Sequence, residues 1–304
     1  MSWQKTLLNS CLKWIEKPQM ARAKDPVAFR RAFERKAKML FHGPRGMERD
    51  EIDLNGAAGL ELSGDWSDAQ RVILYFHGGA NVFGSPRTHA AMIGQLARRV
   101  GVEAILPSYP LAPEHQIEEV SASVRASYDA VLARGYAPHQ IVMGGDSAGG
   151  GLVLTLLGQL LAEGAEVPAG VFAFSPLTDL TFSGASVAVN ETRDVILPAD
   201  RASDMAQMYL GGFDAYDPRA SALFANFKGA PPVWLTVGDT EILLDDTRRL
   251  MTTLQSQGVD AQMHIERDLP HVWPLFHNVL PEARATLDAL AAWIKRRPGW
   301  SDES

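Results

Sequence analysis

The stretch Ile141-Val142-Met143-Gly144-Gly145-Asp146-Ser147-Ala148-Gly149-Gly150 decides the fold of this chain. A short apolar run ends in a Gly-x-Ser-x-Gly pattern, and a helix-forming run, Leu152 to Ala162, follows at once. A strand, a tight turn carrying a serine and a helix form the context in which this pattern is a nucleophile elbow. The turn raises the Ser147 hydroxyl above the sheet, the helix directs free backbone N–H groups at the same space, and Gly145 and Gly149 allow close backbone approach. Because the pattern also occurs by chance or at phosphate sites, other parts of the chain must show whether Ser147 is a nucleophile.

Apolar runs with strand character alternate with helical patterns through most of the chain. The predicted strands are Val72–Phe76, Val102–Leu106, Ile141–Met143, Val171–Phe174, Val233–Val237 and Met263–Ile265. The predicted helices lie near 87–100, 117–133, 148–163, 245–257 and 282–296. Short, continuously apolar strands separated by helices indicate an α/β fold with a mostly parallel central sheet flanked by helices. A hairpin of Met47–Leu54 and Gly59–Ser63 around the turn Asn55-Gly56 is expected at the sheet edge.

Two segments interrupt this alternation. Residues 1–45 are helical before any strand, and residues 178–225 form a long polar insertion with one helical stretch, Ala199 to Tyr209. A connection of that length within a domain is usually functional, such as a lid, or disordered. We expect both segments to form a helical cap over the carboxyl edge of the sheet, where open α/β folds bind ligands. Residues 46–177 and 226–304 then form the catalytic domain.

Composition excludes several classes of protein. The chain has 304 residues, of which 46% are hydrophobic and 21% charged, as in a globular protein with a substantial core. Its net charge of -7 argues against nucleic-acid and acidic-membrane partners. A single cysteine, Cys11, excludes internal disulfides and cysteine metal clusters.

The N-terminus has the pattern of an amphipathic helix. Leu7, Leu8, Cys11, Leu12 and Ile15 recur at helical spacing, and Lys13 and Glu16 interrupt any apolar core of a signal peptide. No apolar run approaches the length of a membrane span. We therefore expect a soluble, cytoplasmic protein.

A second motif, His77-Gly78-Gly79-Ala80, follows the strand Val72–Phe76. Attack on a carbonyl creates a negative oxygen that backbone N–H groups can stabilise without reorganisation. The N–H groups of Gly78 and Gly79, with that of Ala148 just after the serine, are the predicted oxyanion hole. His77 is expected to hold the loop in shape, because the chain order of α/β-hydrolases is Ser, acid, His and His77 precedes Ser147.

That order leaves His264, His271 and His277 as candidate bases. His264 lies within a strand pattern, and His277 lies in an apolar stretch where it could simply pack. His271 follows the last strand in a loop that can reach Ser147, and it is the predicted base.

The acid is expected in the loop after the strand Val233–Val237. Asp239 could brace this loop, and Asp245 and Asp246 begin a helix, where a carboxylate often serves as a cap. Glu241 lies between these positions and suits a side chain that reaches His271, so it is preferred over Asp239, with the helix pair last.

Four motifs make the chain resemble the hormone-sensitive-lipase family of α/β-hydrolases, the bacterial family IV esterases. They are His77-Gly78-Gly79-Ala80, Tyr109-Pro110-Leu111-Ala112-Pro113-Glu114-His115, Gly145-Asp146-Ser147-Ala148-Gly149-Gly150 and Asp217-Pro218-Arg219-Ala220-Ser221. The resemblance implies a carboxylesterase that hydrolyses short- to medium-chain acyl esters through a Ser147 acyl-enzyme, without metal or cofactor, and it implies that copies can form homodimers. The usual family acid is Asp, but members similar to this chain use Glu at the position of Glu241.

Substrate preference and rival functions stay open at this point. Phe83, Phe213 and Trp273 are candidate pocket walls, although such aromatic residues are often plain core. A non-catalytic small-molecule binding protein, an acyltransferase or a peptidase could share the fold, since fold alone does not determine function. His271 argues against the binding protein, because receptors that resemble this family have lost the base.

Overall fold

An eight-stranded sheet organises the protein in the computed structural model, which describes residues 2–300. In chain order the strands are β1 (Glu48–Leu54), β2 (Ala57–Ser63), β3 (Asp68–Phe76), β4 (Val102–Pro107), β5 (Ile141–Asp146), β6 (Gly170–Phe174), β7 (Val233–Gly238) and β8 (Ala261–Glu266). Across the sheet they run β1-β2-β4-β3-β5-β6-β7-β8. Strand β2 is antiparallel to both of its neighbours, and all other pairs are parallel. The predicted mostly parallel sheet is confirmed.

Helices connect and cover the strands. They are α1 (Trp3–Cys11), α2 (Lys17–Arg22), α3 (Pro26–Leu40), α4 (Pro86–Val100), α5 (Ile117–Ala133), α6 (Ser147–Ala162), α7 (Ser186–Val189), α8 (Ala199–Leu210), α9 (Leu244–Ser256) and α10 (Pro281–Lys295). A π-helical turn, Leu12–Glu16, joins α1 to α2. Within the described chain, no helix combines the length and apolarity that crossing a membrane requires.

The central strands are buried on both faces. Alternate residues of β3 point to opposite sides, so that Val72, Leu74 and Phe76 join one apolar cluster, whereas Ile73 and Tyr75 join another. Helices α5, α6 and α9 cover the first face, and α4 and α10 cover the second. Burial on both sides explains why these strands are continuous apolar runs in the sequence.

The predicted hairpin forms at the sheet edge. Its two-residue turn, Asn55 and Gly56, has φ values of 55° and 97°. Positive φ at both positions is the geometry that makes Asn-Gly favourable in such turns. The register Leu54↔Ala57 to Glu48↔Ser63 follows from this turn.

The carboxyl ends of the parallel strands place the predicted site residues at one edge of the sheet. His77 follows β3, Ser147 follows β5, Glu241 follows β7 and His271 follows β8. This is the edge at which α/β sheets bind their ligands.

Candidate active site

Ser147 is the first residue of α6 and follows the last residue of β5 directly. Its φ of 52° is a left-handed conformation that bulky residues avoid, and it makes the turn sharp. A Cβ on Gly145 would lie 2.4 Å from the carbonyl carbon of Gly149, and one on Gly149 would lie 2.1 Å from the oxygen of Phe76. The turn therefore requires glycine at both positions, as the sequence predicts.

Glu241 and His271 form a buried pair. The distance between Glu241 Oε2 and His271 Nδ1 is 2.6 Å, and the two residues are 1% and 6% exposed. Glu241 Oε1 accepts hydrogen bonds from Ser175 Oγ at 2.7 Å and from the amide of Gly238 at 2.6 Å. Both carboxylate oxygens are thus satisfied, and the His271 ring is held with Nδ1 toward the acid.

The pair controls the protonation of the imidazole. Burial alone would lower the pKa of His271, but the charge of Glu241 and its hydrogen bond raise that pKa above the ordinary 6.5, with smaller contributions from Asp194 and Asp146. An imidazole with a raised pKa is a stronger base and gives a more stable imidazolium.

The other three candidate carboxylates are engaged elsewhere. Asp239 Oδ1 accepts from the amide of Asp268 at 2.8 Å, which braces the loops after β7 and β8. Asp245 Oδ2 accepts from the amide of Ser186 at 2.8 Å. Asp246 Oδ2 accepts from the amides of residues 178 and 179 at 2.8 and 2.9 Å.

Within residues 2–300, neither of the other two candidate bases contacts a carboxylate. The His264 ring lies 5.0 Å from the Trp234 ring on the sheet, as its strand pattern predicts. His277 is buried, and its Nε2 donates to the carbonyl oxygen of His42 at 3.1 Å.

The loop after β3 differs from expectation at Gly78. The amide of Gly78 donates to Asp146 Oδ1 at 2.8 Å, so it cannot also donate to a substrate oxygen. The next three residues, Gly79, Ala80 and Asn81, all have positive φ (119°, 55° and 57°). Among residues 2–300, no acceptor bonds the amides of Gly79, Ala80 or Ala148. The amides left free to bind a substrate oxygen are therefore those of Gly79, Ala80 and Ala148, and not the predicted set of Gly78, Gly79 and Ala148.

Asp146 is buried and joins several elements by hydrogen bonds, a role that its sequence context does not predict. Its carboxylate accepts from Tyr75 Oη at 2.6 Å and from Gly78, and it pairs with His89 Nε2 at 3.3 Å. Burial alone would raise the pKa of Asp146, but His89 and the hydrogen bonds from His89 and Tyr75 lower it. In the sequence, only the position of Asp146 next to Ser147 points to this role.

His77 has the structural role predicted for it. Its Nδ1 donates to the carbonyl oxygen of Gly78 at 2.8 Å, and its own carbonyl accepts from Tyr109 Oη at 2.6 Å. Burial lowers the pKa of His77 to about 3, so the ring is neutral and shapes the loop.

A second buried carboxylate, Asp194, lies behind the Glu241–His271 pair. It is 1% exposed, and its Oδ2 accepts from the amide of Ile242 at 3.0 Å. Burial, followed by the charge of Glu241, raises the pKa of Asp194, whereas His271 lowers it. Nothing in the sequence marks this residue, because it lies in the polar insertion far from any motif.

One apolar cavity of about 330 Å³ contains both Ser147 and His271 in its lining. Helices α1 to α3 and α8 also line it, so residues 1–45 and the 178–225 insertion both contribute walls. Of the three predicted wall residues, only Phe83 lines the cavity. Phe213 lies against the Arg219 guanidinium at 4.7 Å. Trp273 is fully buried below, where its Nε1 donates to Thr286 Oγ1 at 2.9 Å.

Over the described range 2–300, no three His, Cys, Asp or Glu side chains lie close enough together to hold a metal ion. The cavity lining holds Ser147 and His271 together with other polar residues, which are Glu16, Lys36, Asn81, His89, Asp146 and Asn278.

The sheet order and the strand–serine–helix turn define an α/β-hydrolase, and a family model described as alpha/beta hydrolase fold matches residues 73–275. The chain is 32% identical to an esterase of Acinetobacter venetianus over 88% of both chains. It is 32% identical to an acetyl-hydrolase of Streptomyces hygroscopicus over 75% of this chain and 77% of that one. The crystal structure of an esterase from the bacterial hormone-sensitive lipase family matches with a TM-score of 0.92 at 32% identity, covering 98% of this chain and 99% of the other. The protein belongs to this family of α/β-hydrolases.

Proposed function

We propose that the protein is a serine carboxylesterase. The observation that carries the proposal is the buried 2.6 Å contact between Glu241 Oε2 and His271 Nδ1, with His271 and Ser147 lining one cavity. An acid, a base and a serine on a sharp strand–helix turn are the parts of a catalytic triad. The names of the relatives, esterase and acetyl-hydrolase, support ester hydrolysis as the reaction.

In the proposed mechanism, Ser147 Oγ attacks the ester carbonyl while His271 accepts the hydroxyl proton. Glu241 keeps Nδ1 protonated and stabilises the imidazolium that forms. His271 then passes the proton to the leaving alcohol as the tetrahedral intermediate collapses to the acyl-enzyme. Water, activated by His271, attacks the acyl-enzyme and releases the carboxylic acid, which restores Ser147.

We assign the oxyanion hole to the amides of Gly79, Ala80 and Ala148. These amides have no acceptor among residues 2–300, whereas Gly78 donates to Asp146. The Ala148 amide also lies in the first turn of α6, where the helix dipole favours negative charge. Removing one oxyanion donor typically costs about 100- to 1000-fold in kcat.

We assign residues 1–45 and 178–225 to a cap and short- to medium-chain acyl esters to the cavity. The cavity lining is mostly apolar, with Phe29, Phe33 and Phe83 in ring contact at one side. Such a wall suits an alkyl chain and offers few partners to a polar one. A series of p-nitrophenyl esters from acetate to laurate measures the preferred length.

Replacing the nucleophile tests the proposal directly. Ser147→Ala should lose all measurable hydrolysis of p-nitrophenyl butyrate, and a fluorophosphonate probe should label the wild type and not the variant. A wild type that resists the probe and hydrolyses no ester would favour a binding protein. Faster turnover of matched amide substrates would favour a peptidase.

A further inference from the structure

Helix α1 and the π-helical turn that follows it leave several large apolar side chains in solvent. Lys5 Nζ and Asn9 Nδ2 donate to the backbone oxygens of residues 267 and 268 at 3.1 and 2.8 Å, and Leu8 and Leu12 pack inward. The large apolar residues at i, i+4 and i+11 face solvent, with Trp3 72%, Leu7 64% and Trp14 75% exposed. A surface helix normally buries its apolar side, so this exposed stripe indicates a surface that another partner covers.

Helix α3 carries a second exposed stripe, which is cationic. Arg31, Arg35 and Lys38 are spaced i, i+4 and i+7, which places them on one helix face, and all three are exposed. In the described part of the chain no carboxylate pairs with any of them. The opposite face of α3 carries Phe29 and Phe33 into the cavity.

The charges of the protein are unevenly distributed. Residues 1–45 contain 11 of the 29 Lys and Arg residues and 3 of the 36 Asp and Glu residues, a net charge of +8. Residues 46–304 therefore carry −15. The whole-chain charge of -7 argues against an acidic membrane partner, but the N-terminal segment has the opposite sign.

We propose that α1 and α3 form a docking surface for an anionic phospholipid membrane. Trp3, Leu7 and Trp14 would enter the boundary between headgroups and acyl chains, which is where tryptophan and leucine of amphipathic helices reside. The cations of α3 would meet the lipid phosphates, and each basic residue near an anionic leaflet adds about fivefold to binding. The acidic remainder of the protein is repelled by the same surface, which orients the molecule with residues 1–45 toward the lipid.

The mouth of the cavity lies beside this surface. Leu40 and Val279 are 57% and 49% exposed and also line the cavity, as does the exposed Cys11 of α1. An apolar ester dissolved in the membrane would reach the mouth without crossing bulk water. This consequence rests on the proposed esterase function, whereas the docking itself does not.

Vesicle binding tests the docking surface. We expect the full-length protein to co-sediment with phosphatidylcholine vesicles that contain phosphatidylglycerol, to bind pure phosphatidylcholine vesicles more weakly, and to dissociate as salt is added. Of the seven tryptophans, Trp3 and Trp14 are exposed, Trp66 is half-buried and the other four are buried, so insertion should shift tryptophan emission to the blue. The double variant Trp3→Phe/Trp14→Phe should lose that shift.

Variants that remove charges and variants that remove apolar side chains separate the electrostatic and the hydrophobic contributions to vesicle binding. Arg31→Gln/Arg35→Gln/Lys38→Gln should weaken binding to the anionic vesicles by roughly a hundredfold at low salt. The matched control Lys228→Gln/Lys295→Gln/Arg296→Gln removes three exposed cations near the opposite edge of the sheet and should bind far more like the wild type. Leu7→Ser/Trp14→Ser should weaken binding by about tenfold or more to both kinds of vesicle.

Three results would overturn the docking proposal. One is no binding to anionic vesicles at low salt, and another is equal losses in the α3 variant and its control. The third is self-association in solution that Leu7→Ser/Trp14→Ser abolishes, which would assign the stripe to a second copy of the chain. Ser147→Ala should bind vesicles like the wild type, so a failure of the esterase proposal would be seen separately.

Discussion

Two carboxylates in one loop, Asp239 and Glu241, take different roles because their side chains meet different donors. Glu241 Oε1 is anchored by Ser175 and Gly238, which leaves Oε2 for His271. Asp239 is occupied by the Asp268 amide. Glu241 lies two residues further along the loop than Asp239 and has the longer side chain. This geometry, more than chain order, makes Glu241 the partner of His271.

Substitution of the two carboxylates should therefore give unequal results. We expect Glu241→Ala to reduce kcat by about 10⁴-fold, as loss of the triad acid does elsewhere, because His271 loses its orientation and the charge that stabilises the imidazolium. Asp239→Ala should reduce kcat by less than about tenfold and should lower stability by about 1 kcal/mol, since it removes one loop hydrogen bond. Steady-state kinetics and thermal unfolding measure both, and an inactive but folded Asp239→Ala would contradict the assignment.

Asp194 is expected to contribute to the pH dependence as a positioning residue, with a smaller effect than Glu241. His271 must be neutral to act as base, so kcat/KM should rise with pH through its pKa, which lies above 6.5. Asp194 Oδ2 accepts from the Ile242 amide and Oδ1 from the amides of residues 196 and 197, so Asp194→Asn keeps one of the two acceptor oxygens; it also removes a negative charge that raises the pKa of His271. The acid limb of kcat/KM should move to lower pH, and kcat should fall by about tenfold at most.

The exposed Asp200 in the same insertion provides the control for Asp194. Asp200→Asn should leave the pH profile unchanged. An acid limb that stays in place in Asp194→Asn would show that this carboxylate only braces the loop.

For individual residues, the sequence predicts which residue types form the site better than it predicts where their side chains and amides point. The serine, the base and the acid candidate follow from chain order and from the loops that carry them. The direction of the Gly78 amide does not, because it depends on Asp146, a side chain 68 positions later. Asp194 is likewise invisible until the insertion is folded back against the loop after β7.

Among the elements, α3 is held through one arginine to the loop that carries the proposed oxyanion donors. Arg30 Nε donates to the carbonyl of Val82 at 2.6 Å, and its terminal nitrogens bond Ala112 O and the Glu114 carboxylate at 2.5 to 2.8 Å. Val82 follows directly on the left-handed residues 79–81. One side chain thus joins the N-terminal helices to two loops of the central domain.

Arg30→Ala should lower both stability and activity. We expect a loss of about 2 kcal/mol, since two buried carbonyls lose a charged donor, together with a fall in kcat as the loop loosens. Arg31→Ala, its exposed neighbour without an ion-pair partner in residues 2–300, should change neither by more than about 0.5 kcal/mol or twofold. Denaturant unfolding and ester kinetics on the same preparations compare them, and equal effects would refute the link.

The helices and strands that the sequence predicts are those whose apolar residues recur with a regular period. Helix α5 has the predicted bounds, whereas β3 begins four residues earlier than its apolar run, because Asp68 pairs with Val102 across a register shift that precedes Val72. The short helix α7 and the π-helical turn after α1 were not predicted, since neither has a pattern of its own.

For the whole molecule, the sequence predicts that residues 1–45 and 178–225 cover the carboxyl edge of the sheet, but it does not predict which side chains line the cavity there. Its walls come from the N-terminal helices, the insertion and the sheet edge, which meet only after folding. Trp273 and Phe213 were expected there for being large and aromatic. Packing instead places one beneath the site and the other against Arg219.

Phe83 is expected to limit the length of the acyl chain. Its ring centroid lies 4.9 Å from that of Phe29 and 5.4 Å from that of Phe33, so the three close one side of the cavity. Phe83→Ala should shift the preferred p-nitrophenyl ester toward longer chains and should cost about 3 kcal/mol of stability through lost packing. Phe213→Ala, which removes a ring outside the cavity, is the control for chain length and should leave the preference unchanged.

The single thiol of this chain gives an experimental handle on the cavity. Cys11 is exposed and lines the mouth, and no other cysteine competes with it. A thiol-reactive dye therefore attaches at one position of the unmodified protein, beside the opening rather than at Ser147 or His271. The emission of that dye would report solvent polarity at the entrance in real time, both during turnover and during contact with lipid.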